Sequence, residues 1–258
     1  MTGDDQRLVT VDVDAGVTTI TINRPEARNA VDREVAKGLV GAFEKFDADP
    51  KQMVAILHGV GGVFSSGADL KAIGTDRANR VHRHGAGPMG PTRMRLSKPT
   101  IAAITGYAVA GGLELALWCD MRVADLTAVF GVFSRRWGVP LIDGGTVRLP
   151  RLIGQSRAMD MILTGRPIGA EEALSFGLIN RLETDRSALA GAVELAGQLS
   201  GFPQTCMRED RLSLLEQQGL GEDAAMTNEH IHGLVSLAAD SGNGAARFQR
   251  GEGRHGAF

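Results

Sequence analysis

Apolar and polar residues alternate through "LVTVDVD" and again through "VTTITINRP", with Asp14-Ala15-Gly16 between them. Period-two alternation on both sides of a short turn-forming triplet predicts a β-hairpin. The period then changes. In "DREVAKGLVGAFEKFDADP", Val35, Leu39, Phe43 and Phe46 share one helical face, Asp32 is placed to cap the start, and Pro50 lies beyond the end. "MVAILHG" is apolar without alternation, the pattern of a strand covered on both faces. A loop rich in glycine and serine, "GVGGVFSSGADLK", leads into residues 74–97. There periodicity is weak and prolines and glycines are frequent, which predicts a partly helical, mobile flap.

"KPTIAAITGYAVAGG" reads as a strand and turn, "GLELALWC" as a helix and "MRVAD" as a further short strand. "VFGVFSRRWGVPLIDGGTVRLPRLIG" reads as mostly loop with short ordered pieces, and "SRAMDMILTG" as a helix. "GAEEALSFGLINRLE" predicts a helix stopped by Gly177 and then a strand. From about residue 187 the pattern is helical, interrupted by glycines at 201, 219 and 221, and it ends in a polar, glycine-rich tail expected to be irregular unless docked. Short strands separated by helices, followed by an all-helical end, specify an α/β body with a helical C-terminal segment. The division is placed at 1–195 and 196–258.

Composition narrows the function classes. The 258 residues carry 28 Lys plus Arg against 30 Asp plus Glu, a net charge of −2, so no general attraction to nucleic acid or to an anionic membrane is expected. No apolar run approaches the ~20 residues of a membrane span. The polar, acidic stretch "MTGDDQRLVT" does not read as a signal or transit peptide, and neither is expected. The two cysteines, Cys119 and Cys206, form no disulfide framework or CxxC pattern, and a cytoplasmic location is expected. His82 and His84 lack partners at metal spacing and read as surface residues, so no metal is expected. "GVGG" at 59–62 lacks the Lys-Ser/Thr of a phosphate loop. Trp118 and Trp137 read as packing residues, and Arg135 and Arg136 as a solvated pair.

The chemistry concentrates in two stretches. In "FSSGADL", 64–70, Gly67 lets the backbone bend so that the Ala68 N–H points into a cavity; the same residues also suit an Asx-type turn capped by Asp69. In "AGGLE", 110–114, two glycines at a helix mouth expose free N–H groups with the positive end of the helix dipole behind them, though they equally suit close packing of helix on strand. Two backbone donors from separate loops meeting at one carbonyl oxygen are what an enolate or a tetrahedral oxyanion requires. Glu114 is the one carboxylate in an otherwise apolar helix, and a buried carboxylate is costly unless it is paired, hydrogen-bonded or kept for chemistry.

"NRPEARNAV" at 23–31, "FSSGADL", "KPTIAAITGYAVAGGLELALWCD" at 98–120, "FGVF" leading to "GGTVRLPRLIG", and "LTGRPIGAEEALSFGLINRL" at 163–182 together resemble the crotonase, or enoyl-CoA hydratase/isomerase, superfamily. The resemblance implies a crotonase fold, a spiral of β-β-α units with a C-terminal helical trimerisation region, assembled as a homotrimer or a dimer of trimers. It implies an acyl-CoA thioester substrate, with no separate cofactor, whose enolate oxygen is held by the amides of Ala68 and Gly111. Arg28, Ala30, Ser66, Asp69, Leu70 and Lys71 would line the coenzyme A path. Glu114 corresponds to one of two glutamates that hydratases use to activate water. The second position is Ser134, which cannot shuttle a proton without an activating partner. Asp143, before Gly144-Gly145-Thr146, stands where dienoyl-CoA isomerases of the family carry a catalytic aspartate; it also suits a simple turn. The expected reaction is hydration of a 2-trans-enoyl-CoA, with Glu114 and Asp143 as a carboxylate pair that handles water and protons. Double-bond isomerisation by Asp143 or Glu114, and an acyl-CoA binder without turnover, are the alternatives.

Overall fold

The computed structural model describes residues 7–252; the polar start at 1–6 and the last six residues of the glycine-rich tail lie outside it. The chain begins β1 (Val9–Asp14), β2 (Val17–Ile22), α1 (Arg33–Ala48), β3 (Val54–Gly59), β4 (Thr100–Ile104), β5 (Tyr107–Val109) and α2 (Gly111–Trp118). It continues β6 (Met121–Asp125), β7 (Val129–Gly131), α3 (Gly145–Ile153), α4 (Gln155–Thr164), β8 (Ile168–Gly169), α5 (Ala170–Phe176) and β9 (Arg181–Glu183). Four helices close it: α6 (Ala188–Ser200), α7 (Gln204–Glu216), α8 (Glu222–Ser236) and α9 (Gly242–Gln249).

The hairpin forms as expected. β1 and β2 are antiparallel and turn at Ala15 and Gly16, both with positive φ, the geometry that matches the twist of the flanking strands. β2, β3, β4, β6 and β9 follow in parallel register, giving a six-stranded sheet in the order β1-β2-β3-β4-β6-β9. Its unalternating strands are explained by cover on both faces. Ile20, Ala55, Leu57, Ala102 and Ile104 face the main core with α1, while Val17, Val54, Ile56, Ile101 and Val123 face α6. A second sheet, β5-β7-β8, stands beside the first. Asp32 caps α1 by accepting from the Glu34 and Val35 amides, and Val35, Leu39, Phe43 and Phe46 form its buried face.

Several local expectations are corrected. The end of the long loop is helical: α3 runs through Pro150, whose missing N–H removes one helix bond but leaves Leu149 and Ile153 buried. The tail is regular as far as Gln249, because α8 passes through a π-helical turn at Leu237–Ser241 directly into α9. Residues 74–97 hold turns and a single 3-10 turn, Pro91–Arg93, pinned by Arg77 to Asp32 and by the Asn79 side chain to the Val31 and Pro88 carbonyls. Trp118 packs edge-on against Phe43, but Trp137 is 70% exposed. The 195/196 division falls inside α6, whose Ala192, Leu195 and Ala196 are buried together against the large sheet.

Candidate active site

Three segments run side by side at the edge of the small sheet. Ala68 bridges to Val31 and Ser65 bridges to Ala108, so residues 28–31, 65–69 and 108–111 extend that sheet by two more ribbons. The Val31 amide donates to the Gly67 carbonyl at 2.8 Å, and the Asp69 amide donates to the Val31 carbonyl at 3.0 Å. Those bonds use the groups flanking Ala68, so the N–H of Ala68 faces the opposite way and meets no acceptor among the described residues.

Gly111 opens α2, and its N–H lies in the first turn, where a helix offers no acceptor. Before it, Ala110 holds φ 53° and ψ −123°, a conformation that costs an L residue about 1–3 kcal/mol and that turns the chain from β5 into α2. Gly67, at φ 95°, is needed for the same close approach: a Cβ there would stand 2.8 Å from the Gly111 nitrogen. The two amide-bearing segments therefore touch, as the glycine spacing suggests. The Asx turn is present as well. The Asp69 carboxylate accepts from the Lys71 amide at 3.0 Å and pairs with Arg24 at 2.8 Å.

Glu114 is 2% exposed, one turn into α2. Its Oε1 accepts from the amides of Asp143 and Gly145, both at 2.8 Å, and among the described residues no donor reaches Oε2. Burial pushes this carboxyl up; the Gly145 amide opposes the shift, the charge of Asp143 adds to it, and the result is about 7. Asp143 is also buried. Its Oδ1 accepts from the Met89 amide at 3.0 Å and from the Thr92 hydroxyl. Burial raises the Asp143 carboxyl too, against the hydrogen bonds from Thr92 and Met89 and the charges of Arg93 and Arg148. The predicted pair of carboxylates is thus assembled from α2 and from the turn that begins α3. Thr92, Met89 and Arg148, which complete it, carry no local signal in the sequence.

Ser134 is 7% exposed, and its hydroxyl has no hydrogen-bond partner. Replacing an unpaired buried hydroxyl by a methyl-sized group loses no bond, so Ser134→Ala is expected to change stability by less than about 1 kcal/mol in a thermal melt. Of the expected coenzyme A contacts, Arg28, Leu70 and Lys71 are exposed, Ser66 is half-buried, and Ala30 and Asp69 are buried. Ser66 lies beside Arg28, its amide donating to the Arg28 carbonyl at 3.0 Å. Arg24, which the sequence did not single out, pairs with Asp69 and Asp32 and so locks the 24–32 and 66–69 segments together. Asp120 holds the Thr100 amide and hydroxyl and pairs with Arg211 of α7, a structural role. His82 and His84 are exposed.

Comparison with known proteins settles the class to which this geometry belongs. The family model described as enoyl-CoA hydratase/isomerase matches residues 12–226. The chain belongs to the enoyl-CoA hydratase/isomerase family. It is 37% identical over 237 residues to enoyl-CoA hydratase EchA19 of Mycobacterium tuberculosis, covering 89% of this chain and 88% of that protein. It is 42% identical over 185 residues to (E)-benzylidenesuccinyl-CoA hydratase of Thauera aromatica, covering 70% and 72%. The crystal structure of enoyl-CoA hydratase EchA1 from Mycobacterium marinum superposes with a TM-score of 0.89 at 34% identity, over 94% of this chain and 96% of that one. The fold is therefore the crotonase fold, and the C-terminal helices belong to it. Among the described residues no helix is long and apolar enough to cross a membrane.

Proposed function

We propose that the protein adds water to a 2-trans-enoyl-CoA thioester. The observation that carries this reading is Glu114: a buried carboxylate on the first turns of α2, held through one oxygen by two amides and poised near neutrality. A base with that affinity exchanges protons readily at physiological pH. The Glu114 carboxylate takes a proton from water as the water oxygen bonds to Cβ. The electrons of the C=C bond move onto the thioester oxygen, where the N–H groups of Ala68 and Gly111 hold the enolate. The same carboxyl group then returns its proton to Cα, leaving a 3-hydroxyacyl-CoA. Removing a donor to such an oxygen costs about 10²–10³ in kcat in enzymes that use one.

One glutamate can serve both transfers, which accommodates a serine at 134. The hydratase names of the relatives support hydration over double-bond migration. Exposed Arg28 and Lys71, beside the Ser66–Ala68 ribbon, suit the phosphates of coenzyme A, with Ala30 and Asp69 shaping the wall behind them. Exposed Leu214, Leu234, Leu237 and Phe248 on the C-terminal helices support a homotrimer or a dimer of trimers, and sedimentation at micromolar concentration should give three or six chain masses. The free cysteines suit a cytoplasmic setting. The direct test is loss of the conjugated-thioester absorbance of a short 2-trans-enoyl-CoA. Appearance of a 3-hydroxyacyl-CoA by mass is the expected result. Conversion of a 3-enoyl-CoA to the 2-enoyl isomer, with no hydration, would replace the proposal by the isomerase reading.

A further inference from the structure

We infer that Asp143 is a positioning residue, which fastens the 87–92 turn to the loop that aims Glu114. This rests on the reading of Glu114 as the group that moves the proton. Asp143 is the centre of a closed ring of hydrogen bonds. Its amide donates to Glu114 Oε1 at 2.8 Å. Its Oδ1 accepts from the Met89 amide at 3.0 Å and from the Thr92 hydroxyl. Its carbonyl accepts from Arg148 Nη1 at 2.9 Å, while Arg148 Nη2 donates to the Thr92 carbonyl at 2.7 Å. One residue therefore ties together the base, the turn from the weakly periodic 74–97 stretch, and α3.

A backbone amide can only donate, so Oδ1 stays an acceptor while it holds Met89, and this oxygen serves the fastening. Asp143 also lines a groove beneath α7, bounded by Leu117, Trp118, Leu141, Val147, Met207 and Leu214; Glu114, Ala68 and Gly111 are not part of that groove. Its negative charge has a second consequence, because it helps hold the Glu114 carboxyl near neutrality.

The test uses the full chain with Asp143→Asn, Asp143→Ala, Thr92→Val and Thr92→Ser, assayed with a 2-trans-enoyl-CoA, together with hydrogen exchange at the Met89 amide. Asp143→Ala is expected to lower kcat about 10²-fold, the scale of a misplaced reacting group, and to release Met89 to fast exchange. Asparagine presents an oxygen that still accepts both bonds, so Asp143→Asn should restore turnover to within about fivefold of the parent and keep Met89 protected. With its charge gone, the pH limb assigned to Glu114 should move below about 7. Thr92→Val should lower kcat about tenfold, and Thr92→Ser should recover it. An Asp143→Asn enzyme as inactive as Asp143→Ala, with Met89 still protected, would establish proton transfer and overturn the inference. So would Thr92→Val and Asp143→Ala enzymes with parental kcat and pH profile. If Asp143→Ala does not fold, the Thr92 pair decides. If the parent protein turns over no enoyl-CoA, the proposed function fails separately, and Met89 exchange still reads the fastening: protection lost in Asp143→Ala and kept in Asp143→Asn supports it, and unchanged protection in both overturns it.

Discussion

Glu114→Gln is expected to abolish hydration to about one part in 10³ while leaving the thioester bound, since the amide keeps the shape and the accepted hydrogen bonds but cannot take a proton from water. Steady-state kinetics paired with acyl-CoA binding by calorimetry checks both halves. The same substitution should stabilise the fold, but only in alkaline solution. Burial raises the Glu114 carboxyl from 4.5 to about 7, so the folded chain binds a proton that the unfolded chain has released between those values. Stability is then lost as pH rises through that window. At pH 8 the parent holds a buried carboxylate beside Asp143, and glutamine relieves it by on the order of 2 kcal/mol. Below pH 4.5 Glu114 is protonated in the folded and in the unfolded chain alike, and this advantage disappears. Melting curves of parent and variant at pH 5 and pH 8 should therefore diverge on going alkaline. The turnover of the parent should itself climb as pH passes about 7, because the base is the ionised form.

Gly112→Ala is expected to cost both stability and activity. Judged from helix propensity alone, alanine in the second position of α2 should help by about 0.5–1 kcal/mol. The tertiary structure reverses the sign. A Cβ at Gly112 would overlap the carbonyl oxygen of Ser65, backbone of the ribbon that carries Ala68. Either the helix or the ribbon must move, so overpacking costs about 1–3 kcal/mol and the two amides lose their common target. A lower melting temperature together with a fall in kcat exceeding any rise in KM is the expected signature. A variant that melts later than the parent and keeps its kcat would show that this contact is not tight.

How much of the site was legible follows from the kind of signal each residue carries. Ala68, Gly111 and Glu114 stand in short glycine-bearing motifs that resemble the family, so they can be singled out as candidates from the sequence. Thr92, Met89 and Arg148 cannot. Met89 acts through its backbone amide, which every residue except proline owns, and its side chain announces nothing. Thr92 and Arg148 meet their partners across 51 and 56 residues of chain, with no periodicity linking them. For Asp143 the residue type was informative and the role was not. A turn aspartate, a catalytic acid and an anchor share one side chain, and the donors that converge on Oδ1 come from a segment remote in sequence.

The same distinction runs through the fold. The hairpin, α1 with its Asp32 cap, and the doubly covered strand at 54–59 are products of local periodicity and turn chemistry, both of which act over a few residues. α3 was not legible, because Pro150 and a double glycine weigh against a helix until the burial of Leu149 and Ile153 outweighs them. Trp137 reads as core by composition yet stands in solvent, since nothing in a single residue type says which surface it meets. The amino-acid order was enough to state the family and to single out Ala68, Gly111 and Glu114 as candidates, because the motifs that carry the resemblance are short and continuous in sequence. The proton affinity of Glu114, the orphan hydroxyl of Ser134 and the anchoring of Asp143 depend on distances between remote segments, which exist only once the two sheets and α2 have packed.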